Sequence, residues 1–103
     1  MNKFGYVLVG TAAFPVKVAA PDYNADKIID MAAKADKEDM DILVFQELAL
    51  TGYTCADLFL HSNLRKKTEA AVNKILEGTK DIDTLLVVGM PLYIEGELYN
   101  CAA

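Results

Sequence analysis

The residues of this chain best suited to chemistry gather around Glu47, in the run Val44-Phe45-Gln46-Glu47-Leu48-Ala49-Leu50-Thr51-Gly52-Tyr53. A carboxylate serves as a general base when it sits beside the proton it must take and is drawn partly out of water, and Phe45, Leu48 and Leu50 would supply apolar surroundings. An apolar run ends just before Glu47. The carboxylate is therefore expected at the carboxyl end of a buried strand, where open α/β sheets collect their ligands. Position alone also allows a plain alternative, a solvated loop carboxylate or one paired with a structural cation. Tyr53 has two readings as well: it can line a pocket, or pack its ring as a loop anchor while the hydroxyl reaches water.

The other reactive side chains carry less. Cys55 and Cys101 are too few for a disulfide framework, which points to a reducing compartment, and each reads as a small packed thiol. His61 is the only histidine, so a histidine-based metal site is excluded within the chain and a surface position is its plain reading. Thr54 and Asp57 have the spacing of a capping pair that opens a short helix. Gly5 to Gly10 imitates the glycine spacing of a phosphate loop, but Thr11-Ala12 stands where Lys-Ser/Thr would be needed. No cofactor is expected in this segment. Arg65-Lys66-Lys67 is the one basic cluster, spread around a helix by its spacing, and the net charge of -5 argues against a nucleic-acid partner.

These residues need a scaffold, and 103 residues with 53% apolar and 24% charged side chains suffice for one small domain or one part of a larger one. Tyr6 to Ala13 reads as a strand covered on both faces and lying inside a sheet. A helix follows, capped by Asp22 or Asn24 and running to about Ala35, with Ile28, Ile29, Ala32 and Ala35 as its apolar stripe. Asp41 to Phe45 is a second buried strand, which makes a parallel β-α-β unit. Leu64, Thr68, Ala71, Val72, Ile75 and Leu76 have helical spacing, with Gly78 as a left-handed cap. Thr84 to Gly89 is a third strand, and Leu92 to Ile94 and Glu97 to Tyr99 flank Glu95-Gly96 as a hairpin, with another strand starting at Asn100. The fold class is α/β (α+β), in the order β-α-β-α-β-β with a mixed sheet. Because the last residues bring nothing to cover that final strand, the chain is expected to be cut from something longer. No run approaches the ~20 apolar residues of a membrane span, and a cytoplasmic location is expected.

The segment Glu47-Leu48-Ala49-Leu50-Thr51-Gly52-Tyr53-Thr54-Cys55-Ala56-Asp57-Leu58-Phe59 resembles the first catalytic segment of the nitrilase (carbon-nitrogen hydrolase) superfamily. More narrowly, it is similar to the glutaminase domain of glutamine-dependent NAD synthetases. Phe4-Gly5-Tyr6-Val7, Pro15 to Ala19, Val88-Gly89-Met90-Pro91-Leu92 and Gly96 to Ala102 extend the likeness over nearly the whole chain. The resemblance implies a partial α-β-β-α sandwich, with residues 1–103 as the amino-terminal part of one domain. It implies a Glu-Lys-Cys triad that hydrolyses an amide through a thioester, with Glu47 as general base and Tyr53 lining the glutamine pocket. The lysine and cysteine would lie downstream of this chain, so the segment by itself is expected to be inactive. Glutamine is the implied substrate, ATP with Mg the implied cofactor of a separate synthetase domain, and a homo-oligomer the implied assembly. One departure stands beside the motif: Gln46 replaces the proline usual before the glutamate. Another amidase of the superfamily, or a non-catalytic α/β binding module, remains the alternative.

Overall fold

The computed structural model describes residues 5–52, 62–94 and 97–103. Seven elements follow in order: β1 (Val9–Ala12), α1 (Pro21–Lys37), β2 (Ile42–Phe45), α2 (Ser62–Gly78), β3 (Leu85–Val87), β4 (Gly89–Ile94) and β5 (Glu97–Ala102). β1, β2 and β3 form a parallel sheet in that order, with Val9 paired to Ile42 and Ile42 to Leu85. β4 and β5 form an antiparallel pair from Ile94↔Glu97 to Gly89↔Ala102. The pairing extends one residue further, since the Val88 and Ala103 backbones exchange two hydrogen bonds of 2.7 and 2.8 Å. The expected mixture of strand directions is thus realised along one stretch of chain. Before Val88 it runs parallel to β2, and from Val88 onward antiparallel to β5.

Alternation decides which side of the parallel sheet is covered. Ala12, Leu43 and Phe45 are buried and join Ala25, Ile28, Ala35, Ala71 and Ile75 in the core. α1 and α2 pack against each other. The opposite sheet face is open among the described residues: Val9 is 54% exposed and Leu85 61% exposed. This corrects the expectation of a first strand inside a sheet and covered twice. Among the described residues β1 lies at the edge of the sheet, and its apolar composition reflects a face that these residues leave uncovered.

Other local expectations also change. Ala20 is the N-cap of α1, with no side-chain capping bond and with Pro21 opening the helix, where a missing N–H costs nothing. Asp22 instead pairs with Lys74 on α2, and Asn24 is fully buried inside the first turn. Gly78 ends α2, but its φ is not positive. The lack of a side chain there serves packing between the helices, since a Cβ would come within 2.9 Å of Ile29 Cδ1. Leu76, one of the residues with helical spacing, is 63% exposed. β5 is continuous from Glu97 to Ala102, so no new strand starts at Asn100. The register around Glu95-Gly96 is the expected one, although those two residues lie outside the described part.

Candidate active site

Glu47 follows β2 after one residue, at the carboxyl end of the parallel sheet, as expected. The loop that carries it is closely knit. Leu48 adopts a positive φ of 51°, a conformation uncommon for a side-chain-bearing residue. That turn lets the Leu48 carbonyl accept hydrogen bonds from the N–H groups of Thr51 and Gly52 at 3.2 and 2.8 Å. Leu48, Ala49, Leu50 and Thr51 are buried, and the Thr51 carbonyl accepts from Ala19 N–H at 2.9 Å. Asn24 secures the same loop from α1: its side-chain amide donates to Lys17 and Leu50 carbonyls at 2.8 and 2.9 Å and accepts from Lys17 N–H at 2.9 Å. A buried amide with its bonds satisfied in this way fixes a loop rather than capping a helix.

The loop rests on β4 at Gly89. A Cβ on Gly89 would lie 2.5 Å from Leu48 N, 2.8 Å from Gln46 O and 3.1 Å from Glu47 C, so only glycine permits this approach. Leu50 N–H donates to the Gly89 carbonyl at 3.2 Å. Phe45, Leu48 and Leu50 turn inward, while the Glu47 side chain stands exposed. The apolar neighbours therefore hold the backbone without shielding the carboxylate, contrary to the expected desolvation.

The Glu47 carboxylate accepts a hydrogen bond from the Asn100 side-chain amide on β5. The two border a cleft of about 290 Å³ with Val44, Gln46, Val87 and Cys101. Asn100 was not singled out as a site residue by sequence reasoning. The hairpin register places it opposite Pro91, but only the packing of Gly89 on the Glu47 loop brings the hairpin to the carboxylate. Cys101 is half-buried and unpaired by any disulfide. Next to Asn100, the Tyr99 hydroxyl donates to the Glu97 carboxylate at 2.7 Å, which holds the phenol above its ordinary pKa. Among the described residues no cluster of three or more His, Cys, Asp or Glu could hold a metal ion. Gly5 to Gly10 leads into and forms part of β1 rather than wrapping around a phosphate. Tyr53, with Thr54, Cys55, Asp57 and His61, lies outside the described residues. Arg65, in the basic cluster, lies over the Tyr93 ring with 5.5 Å to its centroid and pairs with Glu69 at 3.6 Å.

Glu47 thus stands at the carboxyl end of a parallel β-α-β unit, where open α/β folds bind their ligands, with the Asn100 amide bonded to it at the edge of a cleft. The carbon-nitrogen hydrolase family model matches residues 8–103, and the chain belongs to that family. Among curated relatives, the glutamine-dependent NAD(+) synthetase of Mycobacterium tuberculosis is 32% identical over 98 residues, 95% of this chain and 14% of the relative. That of Acinetobacter baylyi is 34% identical over 96 residues, 92% of this chain and 17% of the relative. The crystal structure of a glutamine-dependent NAD(+) synthetase from Cytophaga hutchinsonii superposes with a TM-score of 0.84 at 29% identity, over 93% of this chain and 16% of that one. An amidase from Nesterenkonia sp., at 22% identity and TM-score 0.72 over 88% of this chain and 33% of that one, has the same fold. The chain thus spans about a sixth of the length of these synthetases. No helix among the described residues is long and apolar enough to cross a membrane.

Proposed function

We propose that this chain is the amino-terminal part of a domain that hydrolyses the side-chain amide of glutamine, releasing ammonia for NAD synthesis elsewhere in the same protein. The observation that carries the reading is Glu47, held at the carboxyl end of β2 and facing Asn100 across the cleft. Its support in sequence is the identity with glutamine-dependent NAD(+) synthetases along most of the chain.

In this reading Glu47 takes the proton of a cysteine thiol supplied from outside the chain. The thiolate attacks the amide carbon, and a lysine, also from outside, stabilises the oxyanion. Glu47 returns the thiol proton to the amide nitrogen as the C–N bond breaks, so ammonia leaves. It then takes a proton from water, whose oxygen cleaves the thioester to give glutamate, and that proton goes back to the sulfur. Glu47 is suited to these proton transfers because its backbone is fixed while its carboxylate, bonded to Asn100, is exposed to substrate and water. Tyr53, by its match to the family motif, is the residue assigned in this reading to contact glutamine. ATP with Mg would act in a separate domain, and no step here runs through it. The protein is taken to be a cytoplasmic homo-oligomer.

The test is ammonia release by the intact protein from glutamine and from a panel of simple aliphatic amides. Preference for glutamine, with turnover falling about a hundredfold or more in Glu47→Gln, is the expected result. Equal or better turnover of the aliphatic amides would make the protein another kind of amidase. Unchanged turnover in Glu47→Gln would remove Glu47 from the chemistry.

A further inference from the structure

We propose that Gln46 is a positioning residue for Glu47, acting through a side-chain rung that extends the β1–β2 ladder beyond its last backbone pair. Its kinetic consequence rests on the amide-hydrolysis reading; its geometric consequence does not. The ladder ends with Ala12 paired to Phe45. Two residues past β1, both backbone groups of Phe14 are taken up by one side chain: Phe14 N–H donates to Gln46 Oε1 at 3.1 Å, and Gln46 Nε2 donates to the Phe14 carbonyl at 2.7 Å. A primary amide presents one donor and one acceptor in a plane, so it can replace a peptide group in a ladder. The Phe14 ring reinforces the contact by meeting Phe45 edge-on, with centroids 6.4 Å apart.

On its other side the same stretch is pressed against Gly89, where no side chain could fit between Gln46 O and Leu48 N. The residue before Glu47 is therefore gripped from β1 and β4, and the residue after it is locked in its left-handed turn. Among the described residues, the restraint on the Glu47 side chain itself is the bond from Asn100. Where the carboxylate points is thus set by the orientation of the peptide groups around residues 46 to 48. Without the rung, Phe14 loses both partners, the peptide before Glu47 can tilt, and the carboxylate leaves Asn100.

The test reads that bond directly by nuclear magnetic resonance of the 15N-labelled protein. Glu47→Ala defines the Asn100 side-chain amide signal with no carboxylate acceptor. Gln46→Met, which keeps volume but neither hydrogen-bonding group, is expected to move the Asn100 signal at least halfway to that position. The Asn24 side-chain signal, anchored by Lys17 and Leu50, should stay in place as the internal measure of an intact fold. An Asn100 signal that does not move overturns the proposal. If Gln46→Met also displaces Asn24, Gln46→Glu, which keeps the acceptor and loses the donor, is read in the same way. Displacement of Asn24 in both variants would make Gln46 a residue of general stability and overturn the proposal too.

In the intact protein, Gln46→Met should lower kcat for glutamine about tenfold with KM within about twofold, as expected for misaimed chemistry rather than lost binding. Full kcat would overturn the kinetic part of the proposal. If Glu47→Ala itself leaves turnover unchanged, the hydrolysis reading has failed, and the Asn100 signal alone decides whether the rung exists.

Discussion

The two sides of the cleft are held in different ways. The loop after β2 is fixed by tertiary packing: Leu50 and Thr51 are fully buried, and Asn24, Ala19 and Gly89 each bond to its backbone. The β4–β5 hairpin is held mainly by its own ladder, and Leu92, Ile94, Leu98 and Tyr99 are exposed beyond the point where it meets the loop. Glu47 belongs to the first region and Asn100 to the second. In the role proposed for Glu47, a general base needs a fixed origin and a reachable target. Here the origin of the carboxylate is rigid, while its partner rides on a strand pair whose outer surface these residues leave open.

The contrast places the largest effect in the loop. Leu50→Ala removes a side chain with no exposed surface and is expected to destabilise the protein by about 3 kcal/mol, whereas Leu98→Ala on the hairpin should cost about 0.5 kcal/mol. Urea denaturation of the pair checks this, and equal losses would abolish the distinction. Gly89→Ala acts where the two regions touch. Its Cβ meets backbone atoms rather than yielding side-chain ends, so a loss of about 2 to 3 kcal/mol is expected in the same assay.

Asn24→Ala sharpens the account of the loop. It strips partners from the Lys17 N–H and from the Lys17 and Leu50 carbonyls, with an expected cost of about 2 kcal/mol by thermal denaturation. A cost near that of a surface substitution would mean that water replaces the amide and that the loop is held by packing alone.

The smallest effect belongs to neither region. Lys74 donates to Asp22 and contacts Asp26 at 2.7 Å on the solvent side of the helix pair. The hydrogen bond with Asp22 first, and that with Asp26 second, raise its pKa above the ordinary lysine value. A raised value in the folded state means that the pairs contribute fully below the unfolded-state pKa of about 10.4 and lose their contribution as pH rises through the folded-state value. Lys74→Met should therefore give a small, salt-sensitive fall in Tm that is constant near neutral pH and disappears in strong alkali. A pH-independent difference would assign the effect to packing of the lysine stem.

Which parts of this arrangement could be read in the sequence follows from the range of each interaction. Period and punctuation disclosed β2, both helices and the hairpin register, because these depend on neighbours within a few residues. They also located Glu47 at the end of β2. The bond from Asn100, 53 positions away, depends on a tertiary approach that no local pattern encodes. Gln46 looked like a simple departure from a proline, and its rung to Phe14 became visible only with β1 in place. The type and position of Asn24 suit a helix cap, but the Lys17 carbonyl and the Leu50 carbonyl of the buried loop engage its amide instead. Gly78 had the position of a left-handed cap, and the glycine instead admits Ile29. The apolar first strand was right in composition and wrong in surroundings, since hydrophobicity reports that a face is to be covered without saying which residues cover it.

The most direct test of the central claim is Glu47→Gln in the intact protein, assayed for NAD formation with glutamine and then with added ammonia as the nitrogen source. Loss of the glutamine-supported reaction by about a hundredfold or more, with the ammonia-supported rate preserved, is the result predicted for a general base confined to amide hydrolysis. Equal rates with glutamine before and after the substitution would contradict it.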